Sequence, residues 1–239
     1  MGIAWGLGLA VYGCVMAASS ISFADELKGT PDLQKMLHTV FPSYDVASAG
    51  GFLQLMFIGI GLLIAGLAAA TLTSGWASDE TDGRLELLLA TPMARARWAA
   101  ASGIGLFGAI AVMTAISMVG IGLGVAVAGG DVATTVGGTT AIAFYAAAAA
   151  GVGFAVGGLF RTSIAGEIVA LAVIATALID LLVPPLNLPD WVHQLALSAH
   201  MGQTMVGRWD PAGIAACVVL AAGGLLIGAW GMQRRDVAH

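Results

Sequence analysis

The side chains able to do chemistry in this sequence are few, and most stand alone. Glu167 and Asp180 share one apolar stretch, and a carboxylate in such a stretch is by default a candidate for handling protons or cargo. They lie thirteen positions apart, about 20 Å along a helix, so a two-carboxylate proton relay lacks its middle. Glu167 closely follows Arg161, which favours an ion pair or a helix-start acid over a cargo site. Asp180 precedes Pro184 and Pro185, which favours a solvated or capping role. His193 and His200, seven apart, can share a helix face, but a metal centre needs more ligands at better spacing. Cys14 and Cys217 sit inside apolar runs and read as small buried hydrophobes, not as a disulfide or a thiol site. No G-x-x-x-x-G-K-[ST] occurs, and no glycine-rich run is followed by lysine. The expectation is a chain with no catalytic residues of its own and no bound metal or cofactor.

The charged residues concentrate in one place, between Gly75 and Trp98. Asp79 and Glu80 open the segment. Leu85, Leu88 and Leu89 then recur at helical spacing, with Leu87 filling the stripe and Glu86 opposite. Thr91-Pro92 ends the pattern, because proline cannot continue a helix. Residues 78–90 thus predict a short amphipathic helix with acids at its start, where the helix dipole favours them. Two uses remain open: an interfacial helix with its leucines among lipid headgroups, or a docking helix for a groove on a partner. Interfacial helices usually carry a basic polar face, whereas this one is acidic.

The elements that must position these residues follow from composition. Of 239 residues, 59% are hydrophobic and 10% charged, and the mean hydropathy is +0.92. A soluble domain carries about 25% charge, so lipid must solvate much of this surface. The apolar mass is Ala, Gly, Val, Leu and Ile, without the ~10-residue alternating segments of a β-barrel. Spanning helices need about 20 apolar residues. Six stretches qualify: 2–21, 51–73, 99–127, 140–160, 164–183 and 212–232. The expected fold is one all-α, six-span polytopic domain over residues 1–239. The net charge of −5 is scattered, and no basic run suggests nucleic acid. No Lys or Arg precedes the first apolar run, so it reads as a span and not as a cleaved signal peptide.

Alternate connections fall on opposite sides. One side holds Arg84, Arg95, Arg97, Arg161, Arg234 and Arg235; the other holds Lys28, Lys35 and Arg208. The positive-inside rule places the first set, with both termini, in the cytoplasm. Segments 22–50 and 184–211 then face outward. The first holds a short helix opened by Thr30 and Pro31. The second, from Asp190 to Met205, reads as an amphipathic helix folding back on the bilayer, with Trp191 and Trp209 at the interface. Residues 129–138 read as a Gly/Thr loop, and 160–163 as a tight turn. Gly2/Gly6, Gly120/Gly124, Gly153/Gly157 and Gly224/Gly228 are GxxxG pairs that mark helix contacts, within the chain or between chains.

The charged segment resembles the cytoplasmic coupling segment of ABC-2 type permeases, most nearly the actinobacterial exporters of polyketide antibiotics of the tetronasin-resistance kind. Asp79, Glu80, Gly83, Arg84, Glu86, Leu88, Leu89, Ala90, Thr91, Pro92 and Arg95 occupy the places of that pattern, with Asp79 where glutamate is more usual. Two outer segments are also similar: Pro31 to Leu37, and Leu195 to Gln203, where only Leu195 and His200 match. The chain departs from the family in lacking a basic amphipathic helix before the first span. Longer members carry two six-span halves, and this chain resembles the second.

The resemblance implies a permease in a bacterial plasma membrane, exporting a hydrophobic or amphipathic compound such as an antibiotic. ATP and Mg would be bound by a separate ABC-type ATP-binding subunit. That subunit would dock on Asp79, Glu80, Asp82, Gly83, Arg84, Glu86, Leu88 and Leu89. A second six-span half, the same chain or another, would complete the pathway near spans 1, 2 and 5. The competing function classes are an ion-gradient-driven transporter, disfavoured by the few central charges and the lack of paired broken helices, and a membrane scaffold or sensor.

Overall fold

The computed structural model describes residues 1–41, 44–81, 95–160, 162–186 and 188–234, with backbone only at positions 40, 79–81, 95–100, 184, 185 and 190. Among these residues, six helices are long and apolar enough to cross a bilayer. The chain runs through α1 (Gly2–Lys28), α2 (Pro31–Val40) and α3 (Ala49–Leu53), then a π-helical turn (Gln54–Ile58) that leads into α4 (Gly59–Thr81). After it come α5 (Arg95–Ala128), α6 (Val132–Phe160), α7 (Ala165–Leu186), the short α8 (Asp190–His193) and α9 (Pro211–Gln233). The spans are α1, α3 with α4, α5, α6, α7 and α9.

The helices outrun the apolar stretches where local capping extends them. Polar residues do not end α1: Lys28 pairs with Asp25 at 2.9 Å one turn back, and the helix stops only at Gly29. At 27 residues α1 is about 40 Å long, more than the ~30 Å hydrocarbon core. The loop expected over 129–138 is shorter, because α6 already starts at Val132. Its cap is Asp131, which accepts from the Thr134 amide at 3.1 Å and from the Thr134 hydroxyl at 2.5 Å. Those two donors hold the Asp131 carboxyl below its ordinary pKa. Likewise Asp210 accepts from the Ala212 amide at 2.9 Å, with Pro211 beginning α9. Helix α2 forms where Thr30-Pro31 predicts it, although the Thr30 hydroxyl donates back to the Glu26 carbonyl and does not cap.

Helix α6 is the centre of the bundle, touching α4, α5, α7 and α9. The two most extensive seams are α1 with α5 and α6 with α9. All four GxxxG pairs lie in seams within this chain. Gly2 and Gly6 abut Ala109 and Met113 of α5, while Gly120 and Gly124 abut the backbone of Ala10 and Cys14 of α1. Gly153 and Gly157 face Thr73 and Trp76 of α4, and Gly224 and Gly228 face Gly151 and Phe154. Lipid supplies no hydrophobic drive between helices, so this close backbone approach supplies the packing attraction. Three buried hydroxyls are satisfied along their own helices: Thr73 donates to the Ala69 carbonyl at 2.8 Å, Ser117 to Met113 at 2.9 Å, and Thr139 to Thr135 at 2.9 Å.

A neighbouring glycine provides the control for this packing. A side chain at Gly224 would strike the Gly151 backbone, whereas one at Gly223 meets nothing within 4 Å. Gly224→Leu is expected to destabilise the solubilised protein by about 2 kcal/mol or more through overpacking. Gly223→Leu should leave its thermal transition unchanged, and one unfolding series in detergent checks both.

Candidate functional site

Asp82, Gly83, Arg84, Glu86, Leu88 and Leu89 lie outside the described residues. Asp79 and Glu80 stand in the last turn of α4, which continues without a break from the second span to Thr81. The amphipathic segment expected from residue 78 therefore begins as an extension of that span. Arg95 opens α5 on the same side, so the described chain leaves and returns at one end of the bundle. The same end holds Met1 and the close of α9, and α6 ends and α7 begins there.

Glu167 lies in the first turn of α7 and is exposed, as a helix-start acid would be. Arg161 is outside the described residues, so the expected ion pair is not described. Asp180 stands more than three turns further along α7, toward the opposite end of the bundle, with its side chain 34% exposed. It accepts a hydrogen bond from the Ser198 hydroxyl through Oδ2. Its Oδ1 lies 3.4 Å from His193 Nε2 and has no hydrogen bond among the described residues. Asp180 thus ties the outer segment to the end of α7 at two points. Tyr44 lies close by: burial, with the Asp180 charge second, pushes its phenol above the ordinary value.

The segment between α7 and α9 is not the single amphipathic helix that residues 190–205 suggest. After α8 it forms a 3-10 turn (Leu197–His200), a two-residue strand (Gly202–Gln203), a second 3-10 turn (Thr204–Val206) and a pairing strand (Arg208–Trp209). Gly202 and Gly207 take φ of 75° and 74°, a region that breaks a helix and suits glycine. His193 and His200 consequently do not share a face. His193 turns to Asp180, and His200 Nε2 lies 3.0 Å from the Gln194 carbonyl. Trp191 is exposed and Trp209 borderline, both at this end.

Gln54 is the residue that sequence reasoning missed. It is 4% exposed, at the start of the π-helical turn in the second span. Its Oε1 accepts from the Met205 amide at 2.9 Å, and its Nε2 donates to the Gly202 carbonyl at 3.3 Å. One side chain so satisfies two backbone groups of the hairpin. The available signal was a lone amide in an otherwise apolar run from Gly51 to Ala70. Beside it, a crevice of about 300 Å³ is lined by Ser20, Leu53, Asp131, Thr134 and Met205.

These contacts clamp the outer segment to α7 through Asp180 and to the second span through Gln54. Ser198→Ala should loosen only the first clamp, by about 1–2 kcal/mol, and speed amide exchange over 193–201 roughly tenfold. Gln54→Leu should act on 202–206 instead, leaving a buried carbonyl and amide unpaired at a cost of about 2–3 kcal/mol. Hydrogen exchange in nanodiscs resolves the two.

Comparison with known proteins adds the family. The family model described as "Multidrug efflux system permease Rv1217c, C-terminal domain" matches residues 1–233. The multidrug efflux system permease protein Rv1217c of Mycobacterium tuberculosis (strain ATCC 25618 / H37Rv) is 29% identical over 240 residues. That alignment covers 98% of this chain and 42% of the relative, so the chain spans less than half the relative's length. The chain belongs to this permease family.

Proposed function

We propose, from that membership, that this chain is the six-span membrane half of an ATP-driven exporter that carries a hydrophobic or amphipathic compound out of a bacterial cell. The observation that carries the reading is the family match along nearly the whole six-span bundle. A relative whose name states multidrug efflux points to drug-like cargo. A separate ATP-binding subunit hydrolyses ATP, and the protein itself is not an enzyme and holds no cofactor.

The ATP-driven mechanism is supported by the sequence of the segment from Asp79 to Arg95, with its acidic pair, Gly-Arg step, leucine run and Thr-Pro stop. The continuity of α4 up to Thr81 favours it further. A rigid helix running from the bilayer into the docking segment transmits displacement with little loss. Asp79, Glu80, Asp82, Gly83, Arg84, Glu86, Leu88 and Leu89 form the docking surface in this reading, and it faces the cytoplasm with both termini.

The second six-span half pairs along spans 1, 2 and 5, which are α1, α4 and α7. Their exposed apolar residues suit that role: Ile3, Leu7, Val11 and Val15 form an i, i+4 stripe on α1, and Leu171 and Leu178 project from α7. Between them Trp5 Nε1 donates to the Thr71 hydroxyl at 3.1 Å, joining α1 to α4. Cargo passes between the two halves.

Glu80→Lys combined with Leu88→Asp is expected to abolish co-purification of the ATP-binding subunit while leaving the permease in the membrane. Retention of that subunit by the double variant would disprove the docking assignment. Transport into inverted vesicles should require ATP and survive an uncoupler, and loss of transport on adding uncoupler would favour an ion-gradient mechanism instead.

A further inference from the structure

A cleft of the bundle lies apart from the docking segment and opens between α7 and α9. Helices α7 and α9 both flank α6 but touch one another little, leaving a cleft of about 140 Å³ between them. Its floor is Ala148 and Ala149 of α6, and its walls carry Val169 and Ala172 of α7 and Leu220 of α9. Helix α1 does not line it. We propose that this cleft is a binding slot for one acyl chain of a bilayer lipid from the leaflet next to the outer segment.

The chemistry of the lining selects the occupant. The only hydroxyls in it, on Tyr145 and Thr176, lie 3.0 Å apart and bond one another, so the cleft presents carbon. Water in it would lack the two to four polar partners it needs. Left empty, the wall would forfeit dispersion contacts. Cargo with polar groups would leave them unpaired in hydrocarbon surroundings. A flexible hydrocarbon chain fills the space without any polar cost.

Position agrees with this. Tyr145 is thirteen residues from the start of α6 and fifteen from its end, about 20 Å from either, so the cleft lies at hydrocarbon depth. At its upper end is Leu197, next to the Ser198–Asp180 contact at the level of the outer segment. Alanine at positions 148 and 149 removes side-chain bulk from the floor. Beside the α9 wall Val219 is 68% exposed, so a chain enters sideways from the bilayer.

The test uses the full chain in nanodiscs of phosphatidylcholine that carries a diazirine in mid-chain. Irradiation should place adducts on peptides containing Ala148–Val152 and Ala172–Thr176 at roughly fivefold or more above those on the exposed face of α1. Ala149→Phe with Ala172→Phe fills the cleft and should bring labelling there down to the α1 level without altering the rest. If that pair misfolds, Val152→Phe narrows the slot from within α6 and should do the same. Even labelling over all lipid-facing helices, or undiminished labelling in a folded filled variant, overturns the proposal. Loss of cleft labelling once a second six-span half is co-assembled would show a protein occupant and overturn it equally. None of these outcomes bears on whether transport requires ATP.

Discussion

Everything in this protein depends on how closely its helices can approach in a solvent that gives them no reason to associate. Between apolar helices in lipid the hydrophobic effect vanishes, and what remains is packing and the weak polar attraction of backbones brought together. The chain meets that constraint with glycine and alanine. Helix α6 does so twice over: Gly151 and Gly158 admit α9, while Gly153 and Gly157 admit α4 and its neighbours. Four helices can therefore crowd around one. The α1–α5 seam is a second, separate instance, with glycines contributed from both sides.

Polar contacts between helices are used sparingly, Trp5 to Thr71 and Tyr145 to Thr176 among them. Inside the bundle the hydroxyls of Thr73, Ser117 and Thr139 bond to their own helices. At the end of the bundle away from residues 81 and 95 two side chains, Asp180 and Gln54, reach from spans into the connecting segment and fix it. The cluster around Asp180 also includes His193 and Ser198 from one connection and Tyr44 from another, far away in sequence. The opposite end has its charges in the segment after α4.

Much of this was legible in the sequence, for physical reasons that can be named. Six apolar runs of bilayer length give six helices, because no other backbone arrangement but a closed barrel survives in hydrocarbon. The GxxxG pairs gave the seams, although which helix each pair meets depends on topology. Helix ends were misjudged where a cap extends the helix past the apolar run, as Asp131 does for α6. The outer segment was misread because Gly202 and Gly207 look innocuous in a pattern of apolar spacing, yet their positive φ turns it into a hairpin. Asp180 was singled out for its unusual place, but its partners come from residues 193 and 198 and are invisible to local reading. The role of Gln54 was equally hidden, since its bonds reach about 150 positions away.

The central claim is that six spans without a nucleotide site work as one half of a machine whose motor is another chain. The mass of the intact assembly tests it most directly, measured on the tagged chain extracted with native lipid. The account predicts two ATP-binding subunits bound to two six-span halves. A chain that is recovered free of any ATP-binding subunit, while still supporting export in the same membranes, would contradict it.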